Sequence, residues 1–255
     1  MKNYIKVDSY RVVRSGSFWI AVFGVFFVNL LGRMQQTFSL DVFTAQYYSN
    51  MYSLFILSFA FGSLAYANSL VEDAECKSWY LQIQRGSLKG YVRSKVWICF
   101  SSAVLATMMG TMLFVLVGRA EMPFLSEENF FYDSFATQSM FAGFLTPERI
   151  LLYFIVIAFM QGILAGILAM CSMLLSLFVR NRMFTITVPV IGFYFLTTYL
   201  EKISPYLDLY NMYVYGAPVL GNNAGSFLYA LVLAVILLIL FDELIQLKME
   251  REMKR

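Results

Sequence analysis

The side chains that could carry chemistry in this chain are concentrated in one short segment, residues 69–86. They include the charged residues Glu72, Asp73, Glu75 and Arg85, with Trp79 and Ile83 among the apolar residues between them. Acidic residues in a first turn and a basic residue in a last turn complement the helix dipole, and Gly86 follows as a stop signal. Ser69 and Glu72 have the spacing of a capping box. The pattern predicts a short helix over 70–85 with one apolar face.

Two interpretations of these side chains are open. Exposed on a helix, they could contact a partner protein. Alternatively, Glu72 and Asp73 only cap the helix, Trp79 anchors it at a membrane interface and Arg85 only complements the dipole.

Several kinds of chemistry are absent from the sequence. The chain has no histidine, which excludes a histidine base or a histidine-ligated metal. It has no GxxxxGK[ST] phosphate loop, so it cannot hydrolyse ATP by that route. No Asp, Glu, Lys or Arg lies in the middle of a predicted span, where ion-coupled transporters usually keep their relay groups. We therefore predict no enzyme activity, cofactor or metal site in this chain, and any uphill transport must draw its energy from a partner.

The elements that must position these residues are long uncharged stretches. There are six of them: Ser15–Gly32, Val42–Val71, Val96–Gly118, Ile150–Val179, Met183–Leu200 and Leu209–Phe241. Each can supply the roughly 20 apolar residues that cross a bilayer, and such stretches are expected to be helices. Hydrophobic residues make up 60% of the chain and charged residues 14%, against about 45–50% and 25% in soluble domains. The predicted fold class is all-α, an integral membrane protein with six transmembrane helices.

Basic residues indicate the orientation of these helices. Of the 19 Lys and Arg residues, 15 fall in the N-terminal segment, the C-terminal tail and the loops on the same side. The other four are Arg33, Arg119, Arg149 and Lys202. By the positive-inside rule both termini are cytoplasmic, as an even number of crossings requires.

The orientation divides the chain into three parts. Residues 1–16 are predicted to form a cytoplasmic interfacial helix or a topology-setting basic tail. Residues 17–248 form the transmembrane domain, and 249–255 a cytoplasmic tail. The approximate spans are 17–37, 50–71, 96–118, 149–179, 183–201 and 226–244.

The predicted outer side carries two aromatic segments. Residues 119–149 are acidic and rich in phenylalanine, and the second segment, before the last span, holds Pro205, Pro218 and several tyrosines. At 1.5 Å per residue, Leu209–Phe241 is too long for one crossing. A short helix or re-entrant turn is therefore expected before a crossing at about 227–241.

Polar residues in the fifth span could face a substrate path. The residues are Thr185, Thr187, Phe193, Thr197 and Thr198, and packing between helices would explain them equally. Pro189 should kink the same span. In the fourth span, Gly162 and Gly166 form a GxxxG motif, which is weak evidence of dimerisation.

The topology and one local pattern resemble a known family. Glu72-Asp73 ends span two, and Trp79, Arg85-Gly86-Ser87, Tyr91 and Ser94-Lys95 lead into span three. With six spans, inner termini and a proline-bearing outer segment before span six, the chain resembles an ABC-2 type transporter permease. The resemblance implies type V exporter-like architecture, located in the bacterial plasma membrane.

The resemblance also implies partners. In that family the inner loop after span two is a coupling helix that docks on a separate ATP-binding subunit, here residues 72–86. The resemblance implies that the residues contacting the ATPase are Glu72, Asp73, Glu75, Trp79, Ile83 and Arg85. Two permeases, most simply a homodimer, would work with two ATPases that hold ATP and Mg²⁺. The long aromatic outer loop looks more like permeases that export hydrophobic or amphipathic peptides, such as bacteriocins or toxins, or give immunity to them. No nucleic acid is expected as a partner.

Three functions follow as hypotheses. The first is a permease subunit driven by a partner ATPase. The second is a non-transporting immunity or scaffold protein that binds a partner through residues 119–149. The third is a secondary transporter driven by an ion gradient.

Overall fold

The structure is a computed structural model that describes residues 2–34, 41–76, 79, 83, 87–126, 139–179, 181–204, 206 and 208–253. The described residues are mainly helical and contain no β-strand. The predicted all-α class is therefore confirmed, as is the general character of a helical membrane protein.

Nine α-helices, numbered in chain order, make up most of the described residues. They are α1 (Lys2–Arg14), α2 (Gly16–Met34), α3 (Val42–Met51), α4 (Leu57–Leu64), α5 (Ser69–Glu75), α6 (Leu88–Glu121), α7 (Ile150–Ser176), α8 (Arg182–Ile203) and α9 (Asn223–Met253). Two 3₁₀ turns, Ser53–Ile56 and Ala142–Phe144, and one π-helical turn, Asn211–Tyr215, lie between them.

Five stretches are long and apolar enough to cross a bilayer. They are Gly16–Met34, Ser53–Asp73, Leu88–Glu121, Ile150–Ser176 and Asn223–Met253. The fifth predicted span corresponds to α8, which carries a shorter apolar stretch, Arg182–Thr197. Pro189 lies inside α8, and the helix continues through it. The sixth crossing stays a prediction.

The second predicted span begins at Ser53 rather than at residue 50, because α3 is a separate helix. Helix α3 ends at Met51, Tyr52 is extended, and the chain resumes as a 3₁₀ turn and α4. Two polar side chains tie α3 to other helices, because Ser49 donates to the carbonyl oxygen of Asn29 in α2 at 3.0 Å and Gln161 in α7 donates to Asn50 Oδ1 at 3.3 Å. In a helix that faced lipid, these polar side chains would have no hydrogen-bond partners, which costs free energy.

Before the last crossing, where the sequence predicts a short helix or a re-entrant turn, the chain forms a short π-helical turn. The π-helical turn Asn211–Tyr215 buries Met212, Tyr213 and Val214 completely. Gly216 follows it in the left-handed conformation, with φ at 65°, which glycine adopts without strain. Helix α9 then runs to Met253, so the tail predicted at 249–255 continues the last helix as far as the structure describes it.

Helix α7 lies at the centre of the bundle. In its most apolar stretch 72% of residues are buried, against 22% for α9. Its most extensive packing is against α6, and it also contacts α4, α8 and α9. Helices α8 and α9 turn large apolar side chains outward, among them Ile191, Phe195 and Ile236, as expected of helices that face lipid.

The GxxxG motif packs within the chain. A Cβ at Gly162 would lie 2.9 Å from the carbonyl oxygen of Val104, and one at Gly166 would lie 2.6 Å from the ring of Phe100. Both neighbours belong to α6, so the small residues bring α6 and α7 together. The motif is therefore occupied by an internal interface and is no longer evidence of dimerisation.

Replacing Gly162 should destabilise the fold. We expect Gly162→Leu to lower the free energy of unfolding by about 1–3 kcal/mol or more, because the backbone of α6 must move. Gly192→Leu is the matched control, since nothing lies within 4 Å of a Cβ at Gly192 in α8. Thermal unfolding and oligomeric state in detergent would be measured for both. An altered oligomeric state with an unchanged melting temperature in Gly162→Leu would contradict the internal role.

Candidate functional site

A buried ionic cluster lies where α1, α5 and α6 meet. It consists of Asp8, Arg11, Asp73 and Lys95. Lys95 is fully buried, and Asp8 and Asp73 are each only 2% exposed. We call this end of the bundle the charged end.

Each local sequence explains how its residue reaches the cluster. Asp8 lies one helical turn from Val12, which is also buried, so α1 turns one face toward α6. Asp73 lies in α5, at the end of the second apolar stretch. Lys95 lies two turns inside α6, which begins at Leu88 with Ser87 accepting a hydrogen bond from the N–H of Gly90.

The ammonium group of Lys95 has a partner for each of its three N–H donors. Its Nζ is 2.8 Å from Asp73 Oδ2 and 3.0 Å from Asp8 Oδ1. It also donates to the hydroxyl of Tyr66 at 2.9 Å. An ammonium group offers three donors, so these contacts satisfy it.

Neutral donors satisfy the remaining lone pairs of the two carboxylates. Tyr66 donates to Asp8 Oδ1 at 2.6 Å, and Ser94 donates to Asp8 Oδ2 at 2.9 Å. Tyr91 donates to Asp73 Oδ2 at 2.8 Å. Every ionised group in the cluster is thus hydrogen-bonded as well as paired.

Arg11 closes the cluster on its exposed side. Its guanidinium donates to Asp73 Oδ1 at 3.1 Å and lies 3.7 Å from Asp8. Partial burial alone would lower the pKa of Arg11, but the attraction of Asp73 and Asp8 outweighs it and raises that pKa. Two cations and two anions leave no net charge. Because a buried ion without a partner costs several kcal/mol, the four side chains depend on one another.

The outward surface beside the cluster is acidic. Glu72 and Glu75 are about half exposed and both pair with Arg182 at the start of α8. The distance from Arg182 Nη1 to Glu72 Oε1 is 3.5 Å. Exposed pairs of this kind are worth about 0–1 kcal/mol, so these carboxylates can exchange partners at little cost.

The predicted contact residues differ in where the structure places them. Asp73 is not on the surface, because its carboxylate is used inside the bundle by Lys95, Tyr91 and Arg11. Glu72 and Glu75 are available at the surface. Trp79 and Ile83 are half-buried against the core, while Arg85 lies outside the described residues, together with most of 77–86.

The predicted path residues of α8 do not converge on one space. Thr185 is buried and donates to Asn68 Oδ1 at 3.3 Å, while Phe193 packs in the core. The hydroxyls of Thr187 and Thr197 return to carbonyls of their own helix. The side chain of Thr198 lies outside the described residues.

A cavity of about 780 Å³ opens at the opposite end of the bundle. We call it the aromatic cavity. It is lined by Phe43, Tyr47, Met51, Ser139, Tyr153, Asp208, Tyr210, Asn211, Met212, Tyr215, Ala217, Pro218 and Val219.

Hydrogen bonds fix the walls of the aromatic cavity. Asp41 caps α3 by accepting from the N–H of Thr44 at 2.7 Å. On the facing wall, Asp208 accepts from the N–H of Asn211 at 3.1 Å, at the first residue of the π-helical turn. Tyr210 joins the two walls by donating to the carbonyl oxygen of Asn50 at 3.0 Å.

The phenols of the cavity remain neutral well above physiological pH. Burial raises the pKa of Tyr210 to about 12, although a hydrogen bond with Tyr215 partly offsets it. Burial, with the neighbouring Tyr210 and Tyr47, also raises the pKa of Tyr215. The pKa of Tyr47 is raised by burial and by Tyr48.

Sequence reasoning did not identify Asp8 or Tyr66 as partners of Lys95. One signal was present, because Asp8 is the only acidic residue among the four bases of 1–16. Tyr91 and Ser94-Lys95 were singled out only as part of a family pattern. The aromatic cavity was missed because its walls come from segments far apart in the chain.

Comparison of the chain with protein-family models, with curated proteins and with solved structures finds no match. The functional argument therefore depends on the geometry of the chain itself.

Removing the lysine should destabilise the bundle strongly. We expect Lys95→Met to lower the free energy of unfolding by roughly 3–5 kcal/mol, because it leaves two buried carboxylates with one cation. Denaturant unfolding in detergent would measure the loss. Adding Asp8→Asn to Lys95→Met should recover part of it, since the charge is then balanced again.

The control for this prediction is Lys89→Met on the same helix. Lys89 is exposed, so its replacement should change stability by less than about 0.5 kcal/mol. Equal stability of the Lys95→Met and Lys89→Met variants would show that the cluster does not hold α1, α5 and α6 together.

Proposed function

We propose that this chain is the membrane-spanning permease subunit of an ATP-driven transporter that exports a hydrophobic or amphipathic substrate, with peptide toxins or bacteriocin-like peptides as the best candidates. A separate ATPase would dock at the charged end, which would face the cytoplasm. ATP and Mg²⁺ would be bound by the ATPase. Two copies of this chain and two ATPases would form the working unit in a bacterial plasma membrane.

One observation carries this proposal: the ionic cluster connects the segment after the second span to two other helices. Asp73 lies at the beginning of the segment proposed to receive the ATPase, and Lys95 and Asp8 tie it to α6 and α1. A displacement of residues 72–86 would therefore be transmitted to α6 and so to the tightly packed α6–α7 pair. Such transmission is what coupling to an external ATPase requires.

The surface at the charged end supports the same proposal. Glu72 and Glu75 are the exposed carboxylates proposed for docking, and Arg182 is a partner that they can give up. Asp73 now has an internal role and is removed from the docking set. Trp79 and Ile83 pack on the core and would hold the docking segment against the bundle.

The opposite end supports a role in moving a substrate that is partly apolar. The aromatic cavity combines ring faces with a few polar groups, as ligand sites commonly do. In an alternating-access cycle, this cavity would be the outward-facing site from which an exported molecule leaves the protein.

Transport driven by an ion gradient is the alternative with an observation in its favour. Asp8 and Asp73 are buried ionisable groups next to a second cavity of about 370 Å³, which is lined partly by Arg11 and Tyr66. Buried carboxylates are what a proton relay would use. Their complete pairing with Lys95 and Arg11 favours a structural role, since a relay needs a group free to take up a proton.

Reconstitution tests the proposal. The chain would be placed in liposomes with a candidate phosphate-loop ATPase from the same organism, and efflux of a labelled amphipathic peptide would be followed with and without ATP. We expect efflux only with both the ATPase and ATP. Efflux by the chain alone, or efflux that follows a proton or sodium gradient without ATP, would contradict the proposal.

Neutralising the docking carboxylates should uncouple the two subunits. Glu72→Gln with Glu75→Gln should weaken ATPase binding by roughly tenfold or more, as for residues central to an interface. Stability should hardly change, because only exposed ion pairs are lost. Glu148→Gln, an exposed carboxylate before α7 at the opposite end, is the matched control. Unchanged ATPase binding in the double variant would exclude this surface as the docking site.

A further inference from the structure

Packed aromatic rings line the aromatic cavity. The ring centroids of Tyr47 and Tyr215 are 5.4 Å apart, and those of Tyr210 and Tyr215 are 5.9 Å apart. Phe43 and Tyr153 form a second pair at 5.6 Å. These distances are those of packed aromatic pairs, so the wall is held in place before any ligand arrives.

One carboxylate lies in the lining of this aromatic cavity. Asp208 accepts hydrogen bonds from the backbone and the side chain of Asn211. Among the lysines and arginines that the structure describes, none forms an ion pair with Asp208. It therefore contributes a negative charge that the described part of the protein does not neutralise by pairing.

The aromatic rings and Asp208 together favour a positively charged ligand over a negatively charged one. Aromatic faces attract cations through the ring quadrupole, and quaternary ammonium groups are held by sets of such rings. An aspartate in the same wall adds attraction for a cation and opposes an anion. A cavity of about 780 Å³ also leaves room for an apolar body attached to the charged group, since sites for drug-sized ligands cover roughly 300–1,000 Å³.

We propose that the aromatic cavity binds an organic cation, an ammonium group carried on an apolar body, with the rings of Tyr47, Tyr210 and Tyr215 around the ligand and Asp208 as its counter-ion. The phenols stay neutral at physiological pH, so they compete with neither the carboxylate nor the cation. The site belongs to this chain alone and does not depend on ATP-driven export. If the ATPase proposal fails, this site is unaffected.

Two probes of equal shape test the proposal. The first is trimethyl(4-phenylbutyl)ammonium, and the second is its neutral isostere, in which a carbon atom replaces the nitrogen. Binding to the purified chain in a non-ionic maltoside detergent would be measured by calorimetry, with empty micelles subtracted. We expect the wild-type protein to bind the cation roughly tenfold or more tightly than the isostere, about 1.4 kcal/mol or more.

Substitutions then test whether the preference for the cation over the isostere arises in the aromatic cavity. Asp208→Asn should reduce the ratio of the two affinities severalfold, and it keeps an oxygen that can accept from the N–H of Asn211. Tyr215→Leu should reduce the ratio by removing a ring. Glu148→Gln is the control, because it removes one exposed carboxylate near the same end without touching the cavity. Melting temperatures would establish that each variant is folded.

Two results would overturn the proposal. One is equal affinity of the wild-type protein for the cation and the isostere, which needs no variant to fold. The other is an unchanged ratio in a folded Asp208→Asn protein. A short-chain phosphatidylcholine added as competitor separates two sources of the ammonium group. Displacement of the probe supports a lipid headgroup as the natural ligand, and failure to displace supports a free organic cation.

Discussion

The burial of Lys95 is the constraint on which the arrangement at the charged end depends. A fully buried ammonium group is stable only when opposite charges and hydrogen bonds surround it. The two carboxylates that meet this need come from α1 and α5, 87 and 22 positions away along the chain. The first helix and the segment after the second span must therefore dock against α6 together. An amphipathic N-terminal helix, which could otherwise rest on a membrane surface, becomes part of the bundle.

Different interactions stabilise the two ends of the protein. At the charged end, the buried ionised groups pair with one another, whereas Glu72 and Glu75 form exposed pairs with Arg182. A partner could therefore compete for Glu72 and Glu75 without disturbing Asp73. At the opposite end, hydrogen-bonded turns and packed aromatic rings line the aromatic cavity. Between them, glycines at 162 and 166 let α6 and α7 approach closely, which gives the centre of the bundle little freedom to deform. A movement at one end is thus expected to shift whole helices rather than to dissipate locally.

Much of the fold could be predicted from the sequence because uncharged length is a strong signal in a membrane protein. Five of the six predicted spans correspond to helices long and apolar enough to cross, and the turn before the last crossing was expected from length alone. The break at Tyr52 was not predicted, because Gln46, Ser49 and Asn50 reveal their role only when α2 and α7 lie beside them. The cluster was missed for a similar reason. A lysine at the edge of an apolar stretch looks solvated until Asp8, far away in sequence, is placed next to it.

The attachment of α1 to the bundle is the central claim, and hydrogen exchange measures it most directly. Peptides covering residues 2–14 would be followed by mass spectrometry in the detergent-solubilised wild-type protein and in a folded Asp73→Asn variant. The account predicts slow exchange of the α1 amides in the wild-type protein, comparable to the first turns of α6, and faster exchange in the variant. Exchange of α1 at the rate of a free peptide in the wild-type protein would contradict it.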